Sequence, residues 1–122
     1  MTIKYKWEEE GLYRKFTDKI NGDEILDDNL KLQGDVRFDD IRYVINDFTQ
    51  IRDFDFSVLD VKKVAVNDEV ASLSNPKIKI ALISGYEPLL KWLKLYSESM
   101  EGSLYKCGIF DNSDDAYKWV SA

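Results

Sequence analysis

One serine in this sequence is placed where a charged modification could act. Ser57 is followed by Val58-Leu59-Asp60, and Ser-x-x-Asp is the spacing of a capping box. In that motif the serine hydroxyl and the aspartate carboxylate each accept a hydrogen bond from the other residue's N–H, so a helix is predicted to begin at Ser57. A phosphate there would gain from free N–H groups, but Asp53, Asp55 and Asp60 would add like charge. Ser57 is either a structural cap or a phosphoacceptor.

Residue types that carry catalysis are scarce. The chain has no histidine, which is the commonest general acid or base, and it contains no nucleophile elbow, phosphate-binding loop or zinc-ligand spacing. Its single cysteine, Cys107, lies in an apolar stretch, where a thiol behaves as a small hydrophobic group. We therefore expect a non-enzymatic protein without a cofactor.

A set of aspartates could meet at one edge of a sheet and hold Mg²⁺ through carboxylate oxygens. The chain begins with a hairpin and lacks the acidic pair that receiver-type sites place directly after the first strand. We therefore interpret these residues as solvated caps and predict no metal site. The set comprises Asp47, Asp53, Asp55, Asp111, Asp114 and Asp115.

Composition limits the kinds of partner. The 122 residues carry a net charge of -6, so the chain has no basic field to attract a nucleic acid backbone, and nucleic acid is not an expected partner. No apolar run approaches the roughly 18 to 20 residues that span a bilayer, and the N-terminus lacks a signal-peptide core. We expect one cytoplasmic domain over residues 1–122, without an integral membrane segment.

The first part of the chain predicts a hairpin and a helix. Ile3, Tyr5 and Trp7 alternate with charged residues, which indicates an edge strand, and Gly11 is expected to take a positive φ in the turn before a second strand. Asn21 and Glu24 have capping spacing, so a helix should run from there to Gly34. The residues that lie along this helix are Ile25, Leu26, Asn29, Leu30 and Gln33.

Two nearly continuous apolar runs, residues 41–48 and 78–83, are typical of strands covered on both faces. The helix after the first should extend from Ser57 to about Leu73, and a second capping box, Ser84 to Glu87, should begin the next one. Residues 104–110 form a last predicted strand, and Asn112 caps a final helix. The second helix is apolar at Val58, Leu59, Val61, Val64, Ala65, Val66, Val70 and Leu73, and the third presents Leu89, Leu90, Leu93, Tyr96 and Met100 on one face.

The predicted order ββαβαβαβα indicates an α/β fold with a mixed, mostly parallel sheet, an N-terminal hairpin and about four helices. Function in such sheets concentrates at the carboxyl edge of the strands. The residues expected to contact a partner protein there are Asp55, Phe56, Ser57, Val58, Asp60, Ser84, Gly85, Tyr86 and Glu87. The alternative is a carrier or sensor of a small apolar, lipid-like ligand held between the third helix and the sheet by Trp92, Leu93 and Tyr96. A weak homodimer is compatible with either.

Residues 47–59 resemble the segment of STAS domains that runs strand, loop, Asp-Ser-Ser-Gly, helix. On that register Asp55 corresponds to the motif aspartate and Ser57 to the second serine of the motif, the one that is phosphorylated and dephosphorylated in anti-sigma factor antagonists of the SpoIIAA type. Phe56 replaces the first serine and Val58 the glycine. The runs RFDDIRYVINDF, NPKIKIA and IFDNSDDAYKWV are similar to small bacterial SpoIIAA-like, or STAS/SEC14-like, single-domain proteins. The resemblance implies a STAS fold and a regulatory domain that binds another protein.

Overall fold

A computed structural model describes residues 2–122, with side chains from residue 3 onwards. The chain forms a five-stranded sheet in the order β1-β2-β3-β4-β5, in which β1 is antiparallel to β2 and all other neighbours are parallel. The fold is therefore the predicted α/β type. The elements are β1 Thr2–Trp7, β2 Gly11–Asn21, α1 Gly22–Gln33, a 3-10 turn Val36–Asp39, β3 Tyr43–Asp55, α2 Val58–Ala71, β4 Lys79–Ile83, α3 Glu87–Ser99, β5 Lys106–Phe110 and α4 Ser113–Val120.

The helices cover the two faces of the sheet unequally. Helices α1, α2 and α3 share one face and enclose the main core, where Phe16, Phe48 and Leu82 come from the strands. The short helix α4 lies on the other face, where Ala116 and Val120 pack on Ile45 and Ala81. This arrangement follows from the connections: three successive right-handed crossovers between adjacent strands put their helices on the same side. Within residues 2–122, no helix has the length and apolar character needed to cross a membrane.

Gly11 does not adopt the positive φ that the turn suggested. Its backbone instead lies against the ring of Tyr43 in the neighbouring strand, and a Cβ at this position would overlap that ring. The glycine is thus required by close packing rather than by turn geometry. The turn itself is closed by a hydrogen bond from the N–H of Glu8 to the carbonyl of Gly11, at 2.8 Å.

Strand β3 is longer than predicted. It pairs with β4 only as far as Asp47 and Ile83, whereas its second half continues beside β2 up to Asp55. The segment that the STAS register placed in a loop is therefore strand. Its apolar residues Ile51 and Phe54 do not alternate regularly with polar residues, and the β2–β3 pairing contains register shifts. The sequence of this part therefore lacks the period-two pattern that predicts a strand.

The predicted broad apolar face of α2 is wrong. Only one stripe is buried, made of Val61, Val64, Ala65, Asp68 and Ala71, because α2 lies between α1 and α3 in a single layer. Leu30 of α1 is exposed. The last strand, predicted from Leu104, begins at Lys106, and Leu104 is exposed before it. The exposed apolar residues of α2 are Val58, Leu59, Val66 and Val70, and Leu73, which follows the helix, is exposed as well.

Candidate functional site

Four aromatic side chains meet beyond the carboxyl end of the sheet. Phe54, in the extension of β3, stacks on Phe56 at a centroid distance of 5.4 Å and meets Tyr86 edge-on at 6.3 Å. Phe56 in turn contacts Trp92 of α3 at 6.1 Å. The first turn of α2 adds Val58 and Leu59, and both are exposed. We call these six residues the aromatic edge.

Ser57 caps α2 as its spacing predicted. The N–H of Asp60 donates to the Ser57 hydroxyl at 3.1 Å, and the N–H of Ser57 donates to the Asp60 carboxylate at 2.9 Å. Ser57 is exposed, whereas Asp60 is partly covered because Gly22, at the start of α1, packs against its side chain. A kinase could reach the hydroxyl, and the nearest fixed charge is a carboxylate.

The second predicted capping box, Ser84 to Glu87, is absent. Helix α3 begins at Glu87 after Tyr86, which makes no side-chain cap, and the Ser84 hydroxyl instead accepts a hydrogen bond from the N–H of Tyr86 at 3.1 Å. Ser84 is buried, since it continues directly from the buried strand β4. It is therefore excluded from a contact surface, while Gly85, Tyr86 and Glu87 remain exposed.

A cavity of about 70 Å³ opens between the helices and the sheet, beside the aromatic edge. Trp92, Leu93 and Tyr96, the three residues predicted to hold an apolar ligand, all line it. Phe56 and Asp60 line it as well, so the cavity and the aromatic edge share side chains. The other apolar lining residues are Phe16, Ile25, Phe48, Val61, Val64 and Leu82.

The cavity wall also contains a buried polar network that the sequence analysis missed. Arg14 of β2 is only 4% exposed and donates from Nε to Asn46 at 2.8 Å and from Nη1 to Asp28 and Asn29, both at 2.9 Å. Asp28 also accepts a hydrogen bond from the hydroxyl of Tyr5. The charge of Arg14 is thus compensated by a carboxylate within an otherwise apolar core.

Asp68 of α2 is the second acid of this network. Its carboxylate accepts hydrogen bonds from the Tyr96 hydroxyl at 2.5 Å, from Asn29 at 3.3 Å and from Gln33 at 3.4 Å. Burial raises the pKa of Asp68 to about 6, although the bond from Tyr96 and the charge of Arg14 oppose the increase. The group is therefore mostly ionised at pH 7 and protonates only in mild acid.

A smaller cavity of about 20 Å³ lies on the other side of the network, where Arg14, Asn46 and Asp68 again form part of the wall. The buried hydroxyl of Tyr105 borders it and has no hydrogen-bond partner among the described residues. A single water needs about 10 to 15 Å³, so the space is of one-water size. Arg14, Asn29, Asn46 and Asp68 line both cavities, so the two share this polar wall.

A signal for these residues was present in the sequence. Arg14 lies between Leu12 and Phe16, and Asn46 between Val44 and Phe48, so each interrupts the inward register of its strand. Asp68 does the same on α2, seven residues after Val61. A polar residue at a core-facing position of an otherwise apolar pattern indicates either a buried network or a site.

The aspartates considered for a metal do not act together. Asp47 is buried within β3, where its carboxylate accepts hydrogen bonds from the N–H and hydroxyl of Thr49, at 2.8 and 2.6 Å, and from Tyr13. Asp115 lies beside the cap of α4, where its N–H donates to Asn112 at 2.8 Å. Across residues 2–122, no three His, Cys, Asp or Glu side chains are grouped to ligate a metal. Burial raises the pKa of the Cys107 thiol to about 11, which keeps it protonated.

Comparison with protein-family models and with curated proteins gives no match. Among solved structures, the chain is similar to an uncharacterised protein of the DUF3478 family with a SpoIIAA-like fold from Shewanella loihica PV-4. The TM-score is 0.51 at 14% sequence identity, and the match covers 98% of this chain and 92% of that one. The chain thus has the SpoIIAA-like, or STAS-like, fold that the sequence resemblance implied.

Proposed function

We propose that this domain has no catalytic activity of its own and acts by binding another protein through the aromatic edge. The observation that carries the proposal is the exposed apolar surface of the edge: Val58, Leu59 and Tyr86 are 55%, 61% and 41% exposed. Aromatic residues surrounded by polar ones are typical of the energetic centre of a protein interface. The SpoIIAA-like fold is consistent with this role.

The charges around the aromatic edge indicate the chemistry of the partner. Asp53, Asp55 and Glu87 are exposed next to it, and Asp60 is partly exposed. A partner that complements this surface would present an apolar centre surrounded by lysine or arginine. Such a rim would also make association faster at low ionic strength than at high ionic strength.

The binding proposal predicts that the substitution Leu59→Asp greatly weakens binding of the partner protein. Wild-type protein used as bait in an extract of its native host should retain a partner protein, which mass spectrometry identifies. The Leu59→Asp variant should retain at least about tenfold less of that protein, since a charge at the centre of an interface is strongly unfavourable. Val36→Asp is the matched control, because Val36 is also an exposed apolar residue, at 82%, and lies outside the aromatic edge. Equal retention by all three baits would contradict the proposal.

We further propose that phosphorylation of Ser57 regulates this binding. Ser57→Ala should lower the free energy of unfolding by about 1 kcal/mol because an N–H in the first turn loses its acceptor, whereas Ser57→Asp should be nearly neutral because aspartate also caps. In the binding assay the order reverses: Ser57→Asp should weaken the complex, since it places a charge between Phe56 and Val58, where the apolar centre of the partner would desolvate it, and Ser57→Ala should preserve it. If both variants bind like wild type and Ser57 is unmodified in protein from the host, the residue is only a cap.

A second candidate function is the carriage or sensing of a small ligand, and the cavity lined by Trp92, Leu93 and Tyr96 favours it. About 70 Å³ accommodates a molecule no larger than a few waters or a short organic group, so a long lipid chain would extend out past the aromatic edge. Native mass spectrometry of freshly purified protein would show such a ligand as added mass. A weak homodimer also remains a prediction, for which the outward apolar face of α2 is available.

A further inference from the structure

The donor groups left free in the cavity wall restrict what can bind there. Arg14 uses Nε and Nη1 in its hydrogen bonds, and Asn46 uses Oδ1. The remaining nitrogens, Nη2 of Arg14 and Nδ2 of Asn46, make no hydrogen bond with any described residue. Both side chains are more than nine-tenths buried and line the cavity. Among the described residues only the Tyr105 hydroxyl is a fully buried side-chain polar atom without a partner, so these two nitrogens keep some accessible surface and can donate to an acceptor atom that enters the cavity.

The acceptors next to Arg14 and Asn46 are more fully used than the donors. Asp68 accepts three hydrogen bonds, from Tyr96, Asn29 and Gln33, out of the roughly four that a carboxylate can accept. Asp60 also lines the cavity, and its carboxylate already accepts from the N–H of Ser57. At the Arg14–Asn46–Asp68 network, recognition of a ligand atom therefore depends mainly on the two free donors.

The charge of the wall opposes a negatively charged ligand. Arg14 is balanced by Asp28 at 2.9 Å, and ionised Asp68 adds a further negative charge on the same network. A carboxylate placed against the free donors would thus meet a site whose three charged groups sum to negative. A neutral oxygen, as in an amide, ketone or alcohol, gains the same hydrogen bonds without that repulsion.

We propose that the cavity binds a small neutral molecule in which a carbonyl or hydroxyl oxygen accepts hydrogen bonds from Arg14 and Asn46. Its apolar body lies against the side chains of Phe48, Val64 and Trp92, towards the aromatic edge. This inference rests on the second candidate function and narrows it from an apolar, lipid-like ligand to a neutral one that carries oxygen. Because Phe56 and Trp92 also belong to the aromatic edge, an occupied cavity would contact the proposed protein-binding surface.

Three probes of similar size separate the chemistries: benzamide, benzoate and toluene. In each, the amide, carboxylate or methyl group enters the cavity of about 70 Å³, and the ring extends out towards the aromatic edge. Each is titrated into isotope-labelled protein, and amide and side-chain NMR signals of the cavity residues are followed. Benzamide should bind at least about tenfold more tightly than either of the others, the difference expected from well-placed hydrogen bonds in a buried site. Equal or tighter binding of benzoate or toluene would overturn the inferred ligand class while leaving a small-molecule site. No binding by any probe would remove the ligand site altogether, and neither result would affect the Leu59→Asp test of protein binding.

The variant Asn46→Asp tests the role of the donor directly. It keeps an oxygen to accept from Nε of Arg14 but replaces the free Nδ2 donor by a second acceptor. Benzamide affinity should fall about tenfold, whereas Asn112→Asp, an exposed cap at which aspartate serves equally well, should leave it unchanged. Unchanged benzamide affinity in a folded Asn46→Asp protein would place the binding elsewhere and refute the proposal. If the Asn46→Asp variant does not fold, the relative affinities of the wild-type protein for benzamide, benzoate and toluene still test the proposed ligand class.

Discussion

Asp28→Ala is expected to lower the free energy of unfolding by about 3 to 5 kcal/mol, the usual cost of removing one partner from a buried ion pair. Asp28 and Arg14 are both buried and form an ion pair, and the Asp28 carboxylate also accepts a hydrogen bond from the hydroxyl of Tyr5. Without Asp28, the guanidinium would keep its desolvation cost but lose its counter-ion. Chemical denaturation monitored by circular dichroism measures the difference.

The neighbouring residue is the matched control for this prediction. Asp27 lies on the same helix and is exposed, so Asp27→Ala should change the free energy of unfolding by no more than about 0.5 kcal/mol. Replacing both partners, as in Arg14→Met with Asp28→Leu, should cost less than the sum of the two single changes, because no charge is left unpaired. Similar small effects for Asp27→Ala and Asp28→Ala would show that the pair does not hold the core as described.

The order and type of the elements were accessible from the sequence because each depends on a local pattern. The alternation of Ile3, Tyr5 and Trp7 marks β1 and the apolar run 78–83 marks β4, while the caps at Asn21 and Ser57 mark helix starts. These features act within a few residues, so no knowledge of the tertiary structure is needed. The capping prediction is wrong at Ser84, which is still buried just after the end of β4. There the hydroxyl accepts a hydrogen bond from the N–H of Tyr86 instead of capping α3.

The cavity and its polar wall depend on contacts between distant residues, which no local pattern specifies. Arg14 meets Asp28 and Asn46 only because β2 lies beside β3 and α1 crosses over them. The sequence marks Arg14, Asn46 and Asp68 as polar residues in apolar registers but does not identify their partners. Trp92, Leu93 and Tyr96 line the cavity because α3 has a single apolar face and the cavity lies under that face, while their contact with a ligand stays a prediction.

Leu93→Ala is expected to lower the free energy of unfolding by about 2 to 5 kcal/mol, because it removes buried methyl groups and enlarges a space that the fold already leaves open. Leu93 is buried on the inner face of α3, between the sheet and α2, and lines the 70 Å³ cavity. Since that cavity is open at the aromatic edge, water can enter the enlarged space, which favours the lower half of the range. The adjacent Lys94 is exposed on the same helix, so Lys94→Ala should cost no more than about 0.5 kcal/mol. Denaturation of the two variants side by side would show whether α3 packs through this face, and small, equal effects would mean that it does not.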